Sequence, residues 1–444
     1  MSSVGCGHIL IVSPSAYLYG GLATWLDYLA PGLEAQGWRV TVGLVEGPRH
    51  HQSARYAAEH SLRACVPIRC GTSTPEGRRR ALVRAIRQLR PDIVASVNIP
   101  DVYPAVAEAR RRGASDARAV MTLHGIQADL YDDLRQYAPL PDAVVATNRL
   151  AARLASCIGG MPPDRVLYAP YGVAPTNQLP SERSPPTTLR IAWVGRFEEG
   201  QKRILDVPRI AVRIVEAGVP FRLLLAGDGP DQPALERALA PFLAAGTVGL
   251  LGRLGPCELD RQVYAQSDVL LLTSAWETGP IVVWEAMARG VAVVSSRYVG
   301  SGLEGALEDG VNALLFPIGD SDAAARQLLR LWEEPQLRER LVLCAKRTVD
   351  TRYSIAVSVG AWGAAFKRIL SLAPANAAPS EQRRAGRLDR VVGARWAESI
   401  RSLVPRLPPD GGPGGEWPHS YGTTALDDPE FWRVASQEDV GGLR

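Results

Sequence analysis

Short runs of Val, Ile and Leu recur along the chain, separated by longer segments in which apolar residues return every three or four positions. The runs predict strands buried on both faces and the longer segments predict amphipathic helices, so their alternation predicts parallel sheets covered by helices. The alternation occurs twice. In the first half, residues 9–12 predict a strand, followed by a Gly-containing loop and a helix with Leu22, Trp25, Leu26, Leu29 and Leu33 on one face and Gly37 at its end. Further strands are predicted at 40–44, 93–97, 119–123 and 143–147. In the second half they fall at 190–194, 221–226, 268–273 and 291–295, with Pro233 suited to a first helical turn and Gly218 and Gly290 to helix ends. The expected fold class is α/β: two Rossmann-like, doubly wound parallel-sheet domains facing a cleft.

A length of 444 residues exceeds what one core usually holds, and the pattern divides it. Residues 1–175 form the first domain and 188–350 the second. Residues 176–187 are the linker, at the end of a stretch rich in Pro, Ser, Thr and Asn. Residues 351–373 read as a helix returning toward the first domain. Pro405, Pro408, Pro409 and the run GGPGGEWP make 374–444 a largely disordered tail, relieved by a short amphipathic helix between 381 and 403.

Composition narrows the class. The longest apolar runs, such as 269–272, fall far short of the roughly 18 residues that suggest a membrane span. The N-terminal MSSVGCGHILIVSPS has no basic segment before its apolar stretch and reads as a first strand, so the expected location is cytoplasmic. A net charge of +4 over this length does not call for a nucleic-acid partner. The six cysteines are scattered without a CxxC pair, which argues against a zinc site or a disulfide framework.

The densest chemical signal is SAWETGPIVVWEAMARGVAVVSS, residues 274–296. It runs loop, helix, strand after the strand at 268–273, placing Glu277 at the strand edge where open α/β sheets bind ligands. Thr278, Gly279, Pro280, Ile281 and Val282 lead into the helix, where free backbone N–H groups can meet a phosphate or a sugar hydroxyl. Glu277 suits sugar hydroxyls and Glu285 the vicinal hydroxyls of a ribose, since a carboxylate accepts two donors at once. Eight helical steps would separate the two glutamates by roughly 12 Å, beyond the approximately 5 to 9.5 Å of a glycosidase pair. Loop geometry can shorten that distance, which leaves a hydrolase open, and Glu285 on a solvent-facing helix is the plainer alternative.

After the strand at 190–194 comes GRFEEGQKR, with Gly195, Arg196 and Lys202 beyond the strand's end. Two cations there can neutralise a diphosphate; a solvated loop pair is the competing reading. In AGDGP, Gly227 and Gly229 allow backbone to approach a ligand closely. In the first half, Gly20 and Gly21 make a phosphate-facing turn before the first helix, without a full GxGxxG. His124 ends the strand at 119–123 and Asn98 the strand at 93–97; both are candidates for sugar or acceptor contacts, with a structural histidine equally open.

These motifs in this order resemble those of the GT-B glycosyltransferases of family 4, the retaining group that uses activated sugar donors. The similarity covers most of residues 8–372, through the glycine pair, the histidine after the fourth predicted strand, GRFEEGQKR, AGDGP, Glu-x7-Glu and LEDGVNALLFPIGD. The resemblance implies that Arg196 and Lys202 bind the donor diphosphate, Glu277 the transferred sugar and Glu285 the nucleotide ribose, with His124 near the reaction centre and the acceptor on the first domain. It implies transfer of a sugar from a nucleotide sugar to a glycan, lipid-linked or small-molecule acceptor, with no protein nucleophile. Two departures stand out: ETGP replaces the commoner Glu-Gly-Phe-Gly, and PYGVAP at 170–175 lacks the Asn and Asp of the usual linker element. The alternatives are a nucleotide-sugar epimerase or hydrolase on the same architecture, and a binding protein without catalysis.

Two further features bear on cofactors and partners. Asp320 and Asp322 have the Asp-x-Asp spacing of a metal site, yet they precede AAARQLLRLW, where an aspartate caps a helix. No metal and no other cofactor is therefore expected. Arg78, Arg79, Arg80, Arg84, Arg87 and Arg90 line an amphipathic helix that either packs on its sheet with solvated arginines or makes peripheral contact with the inner face of a membrane.

Overall fold

In a computed structural model the chain is described over residues 6–15, 20–47, 53–60, 62–175, 187–375, 387–403, 417 and 428–441. Among these, two all-parallel sheets form. The first contains β1 (Gly7–Ser13), β2 (Trp38–Glu46), β3 (Cys65–Arg69), β4 (Ile93–Val97), β5 (Arg118–Leu123), β6 (Ala143–Ala146) and β7 (Val166–Tyr168), in the order 3-2-1-4-5-6-7. The second contains β8 (Leu189–Val194), β9 (Phe221–Ala226), β10 (Val248–Gly252), β11 (Val269–Leu272), β12 (Ala292–Ser296) and β13 (Leu314–Phe316), in the order 10-9-8-11-12-13. In both sheets the chain first builds outward on one side and then returns to the other side of its first strand. The reversal lies between β1 and β4 in one and between β8 and β11 in the other, the place where doubly wound sheets open a ligand crevice.

All nine predicted strands are present. The four that were not predicted, β3, β7, β10 and β13, are the outermost strands of the two sheets. Central strands are sealed on both faces, as at Ile9, Leu10, Ile11 and Val12, none of which has accessible surface. Helices cover them with the expected residues: Trp25, Leu26, Leu29 and Leu33 of the Gly21–Ala35 helix are buried.

The chain divides into two compact units, Met1–Ala169 with Val359–Trp432, and Pro170–Ser358 with Arg433–Arg444. The first boundary comes earlier than residue 175 because the Val173 N–H donates to Tyr353 O (2.8 Å) and Val173 O accepts from the Ile355 N–H (3.1 Å), fixing 170–175 to the second unit. From Val359 onward the Ile355–Ser371 helix packs in the first unit, where Trp362 lies against Trp25. Residues 176–186 of the 176–187 linker lie outside the described residues, as does the Pro- and Gly-rich stretch at 404–416.

Within 374–444 the described residues include helices at Arg387–Val392, Ala394–Leu403 and Pro429–Gly441. Their anchors are tertiary. Phe431 packs on Tyr131 with ring centroids 5.4 Å apart, and the buried Trp417 donates its indole N–H to Glu46 O (3.0 Å). The basic helix, Pro75–Leu89, also departs from a uniformly solvated face. Arg78 is buried with its Nε 2.6 Å from Asp101, Arg79 pairs with Glu108 (2.8 Å) and Glu76, and Arg80 pairs with Glu76 (3.1 Å). Arg84, Arg87 and Arg90 remain exposed.

Candidate active site

The switch point of the second sheet gathers the residues predicted for donor binding. Beyond β8, Glu198 caps the short Glu199–Lys202 turn by accepting the Gln201 N–H (3.1 Å), and this turn is stitched to the loop beyond β11. Thr273 Oγ1 donates to Lys202 O (2.7 Å), the Ala275 N–H to Gln201 O (2.7 Å), and Gln201 Nε2 to Trp276 O (3.1 Å). The stitching brings Lys202 Nζ to 2.5 Å from Glu277 Oε1, joining side chains 75 residues apart. Ser274 Oγ donates to the same oxygen (2.7 Å). Both side-chain donors thus converge on Oε1, and Glu277 Oε2 has no partner among the described residues although the residue is buried. A buried carboxylate with one oxygen held and the other open is suited to accept a ligand hydroxyl.

The helix Ile281–Ala288 follows at once. No side chain caps its N-terminus at Pro280, so the first-turn N–H groups of Ile281 and Val282 can serve an anion or hydroxyl. Gly279 has φ 144°, and a Cβ there would meet the Tyr171 ring at 3.0 Å, so the PYGV segment supplies the wall beneath the ETGP loop. Thr278 is buried in that loop.

Glu285 lies on the same helix, half-buried, and accepts from Tyr264 Oη (2.6 Å) on Oε2. Its position on a purely solvent-facing surface is thereby excluded. Burial raises its pKa above the ordinary carboxylate value, with Asp260 adding to the rise and Tyr264 and Arg289 opposing it. Arg196 is different: it is mostly exposed and pairs with Glu198 (3.1 Å), with no hydrogen bond or ion pair to Lys202, Glu277 or Glu285.

The close approach expected at AGDGP is made by the chain's own backbone. A Cβ on Gly227, at φ 139°, would lie 1.8 Å from Gly195 O, and one on Gly229 would lie 2.2 Å from Phe197 O. The Gly195 N–H donates to Ala226 O (3.0 Å) and the Phe197 N–H to Asp228 O (2.7 Å), so the two loops are packed backbone to backbone. Gly227 therefore supports the loop that carries Arg196 and Lys202.

A third loop, beyond β12, braces Glu277. The Glu277 N–H donates to Val299 O (3.1 Å) and the Val299 N–H to Ala275 O (2.9 Å). Its own N–H groups at Gly300, Gly302 and Leu303 converge on the Asp439 carboxylate at 2.9, 3.1 and 2.8 Å. Ser274, Tyr171, Tyr264 and Asp439 were not identified from the sequence. A signal existed for Ser274, three residues before Glu277, while the others come from distant segments.

In the first unit, Gly20 (φ 140°) precedes the Gly21–Ala35 helix, whose N-terminus has no side-chain cap; residues 16–19 of the loop lie outside the described residues. Asn98, just past β4, holds φ 54°, and its buried Oδ1 lacks a partner among the described residues. Asn98 thus combines a left-handed backbone with an unsatisfied amide oxygen at the switch point. His124 sits past β5 between Trp25 (centroids 4.6 Å, edge-on) and Trp362 (6.3 Å, stacked). Burial lowers its pKa to about 3, so the ring is neutral near pH 7. Its Nε2 lies 2.9 Å from Thr122 Oγ1, whose hydroxyl donates to Ser96 O (2.8 Å). Thr122 can therefore only accept from the ring, which places the proton on Nε2 and makes Nδ1 the acceptor.

Both aspartates of the Asp-x-Asp pair have partners within the fold. Asp320 accepts the Ala323 N–H (2.8 Å) as a helix cap, and Asp322 pairs with Arg213 (2.6 Å). No group of three or more His, Cys, Asp or Glu among the described residues is arranged to hold a metal. No helix among them is long and apolar enough to cross a membrane.

A sequence profile described as Glycosyl transferases group 1 matches residues 188–334, and one described as Glycosyltransferase Family 4 matches residues 19–177. The chain belongs to glycosyltransferase family 4. Among its family 4 relatives, the amylovoran biosynthesis glycosyltransferase AmsK of Erwinia amylovora is 31% identical over 203 residues, covering 44% of this chain and 49% of that protein. The D-inositol 3-phosphate glycosyltransferase of Thermobifida fusca is 32% identical over 222 residues, covering 46% and 50%. The chain spans about half the length of these curated relatives. Solved structures share the fold over more of it: the lipopolysaccharide outer core galactosyltransferase WaaB, apo form, superposes with a TM-score of 0.63 at 18% identity, covering 81% of this chain and 99% of that one. Anabaena HepE in complex with UDP and glucose gives 0.64 at 18% identity with the same coverage. The fold of this family 4 chain is thus that of GT-B glycosyltransferases.

Proposed function

We propose that the chain transfers a sugar, with retention of anomeric configuration, from a nucleoside-diphosphate sugar to a hydroxyl acceptor. The observation that carries this reading is the Lys202–Glu277 pair at the switch point of the second sheet, with Glu277 Oε2 open beside the uncapped Ile281 helix. Lys202 is assigned to the diphosphate, together with the first-turn N–H groups and the solvent-facing Arg196. Glu277 is assigned to hydroxyls of the transferred sugar and Glu285 to the ribose. Uridine diphosphate bound to HepE supports a nucleoside diphosphate as the leaving group.

In the proposed step the acceptor oxygen attacks the anomeric carbon as its bond to the diphosphate breaks, on the same face, and the acceptor's proton passes to the departing phosphate oxygen. The protein supplies position and stabilises the charge on that oxygen. His124, neutral near pH 7, is assigned to a position near the reaction centre, and Asn98 to the acceptor. The acceptor is a glycan, a lipid-linked glycan or a small metabolite. No metal is assigned, since the cation at the diphosphate is Lys202.

The test is a panel of nucleotide sugars incubated with the full chain, with and without candidate acceptors and with and without a chelator, reading nucleotide release and the anomer formed. Acceptor-dependent release that survives chelation is expected. Turnover without acceptor would replace this reading by an epimerase or hydrolase, and an inverted product would overturn retention.

Glu285 gives a pH signature. Its ionised form is the one that accepts hydroxyl protons, and its pKa is raised, so KM for the nucleotide sugar should climb as pH falls at values where an ordinary glutamate would still be ionised. Glu285→Gln should raise KM at neutral pH by about 10- to 100-fold, the cost of losing hydrogen bonds to a charge, and flatten that acid limb. An unchanged KM or an identical acid limb in the variant would remove Glu285 from the donor site.

A further inference from the structure

Twelve large hydrophobic side chains among the described residues stand substantially exposed, and five of them fall within 13 residues: Val391, Val392, Trp396, Ile400 and Leu403. Trp396 is 73% exposed and Val391 and Leu403 are 82% exposed. Scattered exposed apolar residues need no explanation, but a cluster of this size does. Positions 396, 400 and 403 recur at helical spacing, so they form one stripe along the Ala394–Leu403 helix.

The stripe cannot roll inward, because the opposite side of that helix is already committed. Ala397 and Glu398 are buried, and the Glu398 carboxylate accepts from Thr72 Oγ1 and Thr74 Oγ1, each at 2.5 Å. Arg80 Nη1 donates to Ser399 Oγ (3.2 Å) and its Nη2 to Arg395 O, so the helix is clamped beside Pro75–Leu89. The preceding Arg387–Val392 helix is tied back by Arg401 to Asp389 (2.6 Å).

The surroundings of the stripe are cationic. Arg390 and Arg395 are exposed next to it. Arg84 and Arg87 follow Arg80 at intervals of four and seven, hence on the side of their helix that meets the clamp, and both are exposed. With Arg90, Arg112 and Arg118 they line an open basin that also holds Asp92 and Asp116. A tryptophan and aliphatic side chains standing out among arginines match the interfacial layer of a membrane, where the indole and the alkyl groups enter the headgroup region and the guanidinium groups meet phosphate.

We propose that the 387–403 helical hairpin, with the arginines of the adjoining Pro75–Leu89 helix, docks the protein on an anionic lipid surface. The occupant is lipid rather than a second copy because the apolar stripe is flanked by charge of one dominant sign, which two identical copies would have to bring together. The contact differs from the one expected for the basic helix alone, since Arg78, Arg79 and Arg80 are engaged internally and the apolar anchor lies in the hairpin.

The test is cosedimentation of the full chain with vesicles of phosphatidylcholine, with and without about one-third phosphatidylglycerol, at low and high salt. Binding to the anionic vesicles, weakened by salt, is expected. Two variant pairs should each lower the apparent affinity about tenfold or more while leaving far-UV circular dichroism and thermal unfolding unchanged: Trp396→Ser with Leu403→Ser, and Arg84→Gln with Arg87→Gln. Failure of the unaltered protein to bind anionic vesicles would overturn the proposal, as would wild-type binding by the Trp396→Ser, Leu403→Ser pair. Lipid-free, concentration-dependent dimers abolished by that same pair would instead assign the stripe to contact between copies.

Discussion

Replacing Lys202 by alanine is expected to lower kcat for sugar transfer by about 10²- to 10³-fold, the range seen when one preorganised charge-stabilising donor is removed. The size follows from where the ammonium sits. It lies 2.5 Å from a buried carboxylate, on a turn held to the Glu277 loop by three hydrogen bonds that the substitution leaves in place, so the cation is lost from a fixed position. Removing it has two consequences: the departing diphosphate loses its fixed cation, and Glu277 Oε1 keeps only one of its two side-chain donors, Ser274 Oγ. The first falls on charge that grows in the transition state, so kcat should fall together with kcat/KM. Steady-state kinetics on the purified variant, with circular dichroism to show that it is folded, makes the check. A near-normal kcat would refute the role given to Lys202, and a raised KM with unchanged kcat would reduce it to ground-state binding.

Gly227→Ala should cost about 3 kcal/mol or more of stability in the second unit, since it combines a backbone collision with a disfavoured φ. The added Cβ would lie 1.8 Å from Gly195 O, a backbone atom that moves only if the Gly195–Phe197 loop moves. That shift would spread to Lys202, because Phe197 and Glu199 are bonded through their N–H groups to Asp228 O (2.7 Å) and Asp231 Oδ2 (2.7 Å). Thermal unfolding should therefore show a drop of roughly 6 to 12 °C in the transition of this unit. Sugar transfer below that transition should be reduced at least as far as in the Lys202 variant. Unaltered unfolding with normal transfer would show that the two loops are not coupled.

The site's residue types and their strand-end positions were legible in the sequence. Gly195, Arg196, Lys202, Glu277 and Glu285 follow apolar runs that could only be central strands, and ligand-binding loops of doubly wound sheets leave from those ends. What the sequence could not supply were pairings between segments far apart in the chain. Tyr264 on Glu285, Tyr171 under Gly279, the Trp25 and Trp362 rings around His124 and Asp439 in the 300–303 loop have no local pattern that announces them. The same limit explains the earlier boundary near 170 and the helices after 386, whose anchors are contacts with residues far away in the chain.

By itself the sequence determined the nine inner strands and the two doubly wound units, because strands covered on both faces must be apolar throughout and so stand out as continuous runs. The tertiary structure alone decided the four outermost strands, which have one neighbour each and are short or only half covered, leaving no such run. It also decided which arginines are structural. Arg78 and Arg84 read alike in one helical repeat, yet Arg78 is buried against Asp101 and Arg84 faces solvent, because an acidic side chain from another element meets only one of them.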